Sequence, residues 1–250
     1  MEIATPKVYL ITRPQIDVGA LLSFKEDEKL DSWWPNEPAD RSDGEYACEV
    51  AGRLCYMSFG KGRKTNKEFI SNIITAAHGS VLEHAVYGFI ITGVSRSFTH
   101  ELVRHRHLSF SQLSQRYVDE SDAKVVIPDA IKGADDVFTR AVTAAQTAYR
   151  VLMSHLENYY KDVADTTQRR KLARQAARCI LPNATETKIF VTGNARAWRH
   201  FIDMRTSTHA DIEIRQVATM ILEVLRKEAP SIFDDYEIHA NIVTSAHRKV

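Results

Sequence analysis

The chain has 250 residues, 44% hydrophobic and 26% charged, a composition that buries a core and lies far from that of disordered chains. Its 33 Lys and Arg almost cancel its 32 Asp and Glu, for a formal charge of +1. No overall field therefore draws in nucleic acid or an acidic membrane, and any anion site must be local. Cys48, Cys55 and Cys179 form no CxxC pair, so they are expected to be buried small hydrophobes in a reducing compartment. The opening residues lack a signal-peptide pattern, and no stretch approaches the ~18 consecutive apolar residues of a membrane span. The expected location is the cytoplasm.

In chain order, Lys7 to Thr12 reads as an opening strand, and Gly19 to Asp43 as a long polar loop carrying an exposed Trp33-Trp34 pair. Apolar residues at helical spacing predict helices over Glu45 to Phe59 and from Phe69 to Ala77. Ala85 to Thr92 and the shorter Lys124 to Ile127 have strand composition. Asp135 to Val163 is a long amphipathic helix with Phe138, Val142, Ala145, Tyr149, Leu152 and Leu156 on one face. A basic helix, Thr167 to Leu181, ends at Pro182, and a strand follows at Glu186 to Thr192. Asn194 is placed to cap a helix carrying Trp198, Phe201 and Ile202, and Ala210 to Ala229 gives a last helix. With no repeat or dividing linker, the chain is expected to form a single α+β domain, 1–250, with a small, largely antiparallel sheet and several long helices.

The common nucleotide and metal signatures fail. Gly60-Lys61-Gly62-Arg63-Lys64-Thr65 lacks the spaced glycine of a P-loop, and no GxGxxG occurs. Arg104 stands where a zinc-protease helix starting at His100-Glu101 needs its second histidine, so no metal is expected. What remains is the run from Ser95 to Tyr117, where arginines and histidines alternate with Ser109, Ser111, Gln112 and Ser114. A solvated basic helix with a polar loop would account for the charges alone. The compact donors beside arginines suit phosphate and base recognition, where charge-assisted and bidentate bonds are strongest. A second basic cluster includes Arg174 and Arg178, and a third includes Asn194, Arg196, Arg199, His200 and Arg205 at a helix start, which favours anions.

Arg104-His105-Arg106, then seven residues, then Ser114 resembles the RHR-x7-S motif of the flavin-dependent thymidylate synthases. Gly79 to His84, Arg178 to Glu186, Asn194 to Phe201 and Met204-Arg205 extend the likeness over roughly Glu45 to Phe233. Ser111-Gln112 departs from the Asn-Glu found in many members; the Gln112 amide still donates and accepts but carries no charge. The resemblance implies a homotetramer that methylates dUMP, with FAD as redox cofactor, methylenetetrahydrofolate as carbon donor and NADPH as reductant. It implies Ser80, Glu83, Arg104, His105, Arg106, Asn194, Arg196 and His200 as FAD contacts. It implies Arg96, Glu101, Arg104, Gln112, Ser114, Arg116, Arg178 and Arg205 as the dUMP shell, with His78 toward the folate side. Arg205 takes the chemical role, and no cysteine acts as nucleophile. The alternative, a basic RNA- or nucleotide-binding module, would normally show a domain-wide basic balance, which this chain lacks.

Overall fold

Helix starts are written into side chains that satisfy orphan backbone N–H groups. The Ser42 Oγ accepts from Glu45 N, and the Glu45 carboxylate accepts from Ser42 N at 2.6 Å, a reciprocal box that opens a helix over Asp43–Tyr56. Thr65 and Glu68 repeat it at the start of Asn66–Thr75. Asn194 accepts from Ala197 N at 2.8 Å and caps Ala195–Arg205, as expected.

The computed structural model describes residues 2–33, 41–131, 133–239 and 242–247. It is an α+β fold with a small antiparallel sheet. The elements are β1 (Lys7–Thr12), α1 (Val18–Asp27), α2 (Asp43–Tyr56), α3 (Asn66–Thr75), β2 (Val86–Ser95), α4 (Arg96–Leu102), β3 (Ser109–Gln112), α5 (Asp135–Tyr159), α6 (Thr166–Ala177), β4 (Glu186–Asn194), α7 (Ala195–Arg205), α8 (Ile212–Glu228), α9 (Pro230–Phe233), β5 (Tyr236–His239) and β6 (Ile242–Ser245). The sheet order is β1-β2-β4-β3, and β5 pairs antiparallel with β6. No described helix is long and apolar enough to cross a membrane.

The chain forms two compact units, each drawn from separate segments. The first comprises residues 1–7, 90–104 and 110–190. Its core joins Tyr149 and Met153 of α5 to Ala173 and Ala177 of α6, with Leu152 and Leu156 packed alongside. The small alanines of α6 let the large stripe of α5 close on it. In this unit Gly93 has φ 68°, and any Cβ there would strike the Thr5 carbonyl, so only glycine fits.

The second unit comprises residues 8–89, 105–109 and 191–250. Trp198 and Phe201 of α7 and Ile214, Val217, Ile221 and Leu225 of α8 are all fully buried. The Trp198 indole donates to the Tyr87 carbonyl at 3.1 Å while its ring meets Phe89 edge-on, so the one polar atom of a large core residue is satisfied.

Four expectations change. The start of the Gly19–Asp43 segment belongs to α1, which Asp17 caps; none of the helix residues is fully buried, but Leu21 and Phe24 pack against Trp33, Tyr46 and Phe59. Trp33 is buried, 4.4 Å from the Phe59 ring and beside Phe24; Trp34 lies outside the described residues. Lys124 to Ile127 is not a strand: Val125 makes only isolated bridges, to Ile3 and to Thr185. Cys48 is buried, but Cys55 and Cys179 are exposed. Cys55 follows Cys48 by two helical turns and shares its stripe, yet stands in the last turn of α2 beside the exposed Tyr56. Cys179 lies in the 3₁₀ turn that ends α6.

Candidate active site

In the first unit, Ser95 caps the short helix α4 by accepting from Phe98 N at 3.0 Å, and Arg96 and Glu101 are half-buried at its two ends. Arg96 is held below the ordinary arginine range chiefly by burial; nearby Glu120 opposes that shift and Arg178 reinforces it. Two guanidinium groups near enough to repel each other form a site that an anion would relieve. Glu120 itself is buried, which raises its pKa against the pull of Arg96.

Gln112, at the end of β3, donates through Nε2 to Thr99 Oγ1 at 3.0 Å and to Thr187 Oγ1 at 3.3 Å. Both bonds use the same nitrogen, which fixes the amide orientation and presents Oε1 as the acceptor. Just beyond it, Ser114 Oγ accepts from Arg116 N at 3.3 Å, and both residues are half-buried. Arg104 is exposed in the turn after α4.

In the second unit, Glu83, Asn194, Arg196 and His200 line one cavity of about 490 Å³ together with His107 and Asp203. Arg196 pairs with Glu83 at 2.7 Å. This pair is half-exposed, so it orders the two side chains more than it stabilises the fold. Ser80, in the 3₁₀ turn Gly79–His84, and His78 just before it are exposed, as is Arg106. None of these three lines that cavity.

The motif histidine behaves unlike its flanking arginines. His105 is buried, its ring edge-on to Phe201 at 5.1 Å and to His200 at 5.9 Å, while Arg104 and Arg106 are exposed. Arg205 Nε donates to His105 Nε2 at 2.8 Å. The accepting nitrogen must be unprotonated, and the pKa agrees: burial, then the charges of Arg205 and His200, push His105 down to about 4. A neutral imidazole thus holds the last basic residue of α7 by its inner nitrogen.

Some basic residues serve the fold instead. Arg199 is 1% exposed and bonded to both carboxylate oxygens of Asp235, at 2.6 and 2.7 Å, and to the Ile232 carbonyl. Arg174 donates to the Tyr117 carbonyl at 2.8 Å and pairs with Asp119. Sequence reasoning missed His107 and Asp203 at the cavity. His107 continues the Arg-His-Arg run and was open to notice; Asp203 carried no signal beyond its place on α7. No group of three or more His, Cys, Asp or Glu able to hold a metal occurs among the described residues.

Fold and clusters together define a class: an α+β protein whose grouped guanidinium, imidazole and amide side chains are suited to anionic ligands. Residues 39–231 match the family model described as thymidylate synthase complementing protein. The chain is 53% identical over 207 residues to the flavin-dependent thymidylate synthase of Mycolicibacterium gilvum (strain PYR-GCK), covering 80% of this chain and 83% of that protein. It is 51% identical over 205 residues to that of Mycobacterium tuberculosis (strain ATCC 25618 / H37Rv), covering 80% and 82%. The chain belongs to the flavin-dependent thymidylate synthase family.

Proposed function

We propose that the protein, acting as one catalytic domain over 1–250, converts dUMP to dTMP, with methylenetetrahydrofolate as carbon donor, FAD as redox cofactor and NADPH as reductant. The observation that carries this reading is the Arg205–His105 hydrogen bond, which ties the motif histidine to an arginine one hundred residues later.

The donor set fits FAD: exposed Arg104 and Arg106 suit a diphosphate, and Ser80, Glu83, His105, Asn194, Arg196 and His200 supply hydroxyl, carboxylate, imidazole and amide groups for the remaining polar atoms. Bound there, the flavin would pass on the two electrons that turn a transferred methylene into a methyl group. Arg96 and Arg178 take the dUMP phosphate, assisted by Arg104 and Arg116, while Ser114, Glu101 and the Gln112 acceptor orient the nucleotide. His78 stands toward the folate.

Arg205 is assigned the chemical role. A guanidinium at the N3 and carbonyl edge of uracil favours the N3-deprotonated ring, whose C5 is then electron-rich enough to attack a one-carbon electrophile. His105 positions that guanidinium by accepting from Nε. No cysteine is required: burial pushes the Cys48 thiol up to about 12, and none of the three cysteines lines the cavity bounded by Glu83, Arg196 and His200. Completing the sites from several copies, in a cytoplasmic homotetramer, accords with the many site residues left exposed on one chain.

The test is the visible spectrum of the purified protein, followed by NADPH bleaching with and without dUMP and assay of dTMP. A yellow protein that forms dTMP only with folate donor and reductant is expected. A colourless protein that takes up no flavin would overturn the reading.

A further inference from the structure

The loop Gly60–Thr65 and its surroundings play no part in the proposed synthesis of dTMP, yet they border a cavity of about 930 Å³ within the second unit. Its walls include Arg41, Arg63, Lys64, Lys67, Asn66 and Trp33. The loop is held from beneath by one buried guanidinium: Arg53 donates to the carbonyls of Ser58, Lys61 and Arg63 at 3.0, 2.9 and 2.8 Å. Its charge is met by Glu49 at 2.7 Å. Gly60 has φ 67°, and a Cβ there would lie 2.5 Å from the Ser32 carbonyl oxygen, so glycine alone lets the loop close against that wall.

Among the described residues, with Arg53 and Glu49 matched, Arg41, Arg63, Lys64 and Lys67 oppose one further carboxylate in the lining, Asp234, which itself pairs with Arg226 at 3.7 Å. In a nearly neutral protein this is a local positive field facing a cavity. A second, independent feature lies on the same wall. Asn66 is 6% exposed, and its Nδ2 donates to Glu45 O at 3.1 Å and Glu49 Oε2 at 2.9 Å. Those two bonds fix the amide orientation and leave Oδ1 buried and, among the described residues, without a partner. The cations call for an anion, and the amide oxygen calls for a neutral donor.

We propose that this cavity is a second ligand site that takes a sugar phosphate, free or as part of a mononucleotide. The phosphate lies against Lys64, Lys67 and Arg41, and a sugar hydroxyl donates to Asn66 Oδ1. The Tyr46 hydroxyl, on the same lining and pushed up to about 12 chiefly by burial, stays a neutral donor beside them.

The test uses the full-length protein saturated with FAD and dUMP, titrated calorimetrically with inorganic phosphate, ribose 5-phosphate and adenosine 5′-monophosphate. Ribose 5-phosphate or the nucleotide should bind at least ~10-fold more tightly than phosphate, and the better of the two identifies the source. The double variant Lys64→Ala/Lys67→Ala, both exposed positions, should weaken that binding ~10-fold or more and leave dTMP formation unchanged. No binding, no gain of the sugar phosphates over phosphate, or full affinity in the double variant would each overturn the proposal. Because binding is the readout, the result stands apart from whether the protein methylates dUMP.

Discussion

Lowering the pH from 7 toward 4 should destabilise the folded protein in part through one imidazole, that of His105. In the folded chain it is buried, accepts from Arg205 Nε and titrates at about 4; unfolded, it returns to the ordinary 6.5. Between those values the unfolded chain binds the proton and the folded chain does not, so stability rises with pH. The contribution is complete above the unfolded pKa and is lost as pH falls toward about 4. A difference of ~2.5 pKa units corresponds to at most ~3 kcal/mol. The comparison is His105→Gln, whose amide oxygen still accepts from Arg205 but does not titrate. Urea unfolding at fixed protein concentration, followed by tryptophan fluorescence from pH 7 to pH 4, measures both proteins. Carboxylates such as Glu120 and Asp235 titrate in both and cancel in the difference. Parent stability should fall toward that of the variant as pH drops. Parallel curves across the window would refute a neutral, proton-resisting His105.

Three further outcomes are expected. Arg205→Ala should keep its flavin yet lose ~100-fold or more in single-turnover dTMP formation at saturating dUMP, and Arg205→Lys should recover only part, since Lys restores charge without the planar fork. Arg199→Met should lower urea stability by ~1–3 kcal/mol by leaving the half-buried Asp235 carboxylate without its cation, with Arg199→Met/Asp235→Leu recovering much of the loss. A thiol reagent should modify Cys55 and Cys179 in the native chain and Cys48 only after unfolding, and changing all three to Ala should leave most of the turnover intact.

Elements with an apolar stripe are legible in the sequence alone. The α5 face reappears with Val142 and Tyr149 buried, and Asn194 caps α7 where its side chain is placed to do so. Helix α1 is not legible, because it is short and its core contacts, Leu21 and Phe24 among them, are only partly buried, which leaves a weak periodic mark. The burial of Trp33 escapes the sequence for a related reason: prolines and polar neighbours mark irregular backbone, and irregular backbone can still bury a large ring against Phe59.

By itself the sequence determined the fold class, the family through the Arg104-to-Ser114 spacing, and the polar residues from which a site must be built. Only the tertiary structure decided how those residues are used. Arg199 and Arg205 share one helix and one side-chain chemistry, yet Arg199 is locked to Asp235 in the interior while Arg205 meets His105. Arg104, His105 and Arg106 are adjacent, yet only the histidine turns inward. The physical reason is that periodicity encodes which face of an element is apolar. Polar partners are chosen by hydrogen-bond geometry and desolvation between segments one hundred or more residues apart, and no local pattern carries that information.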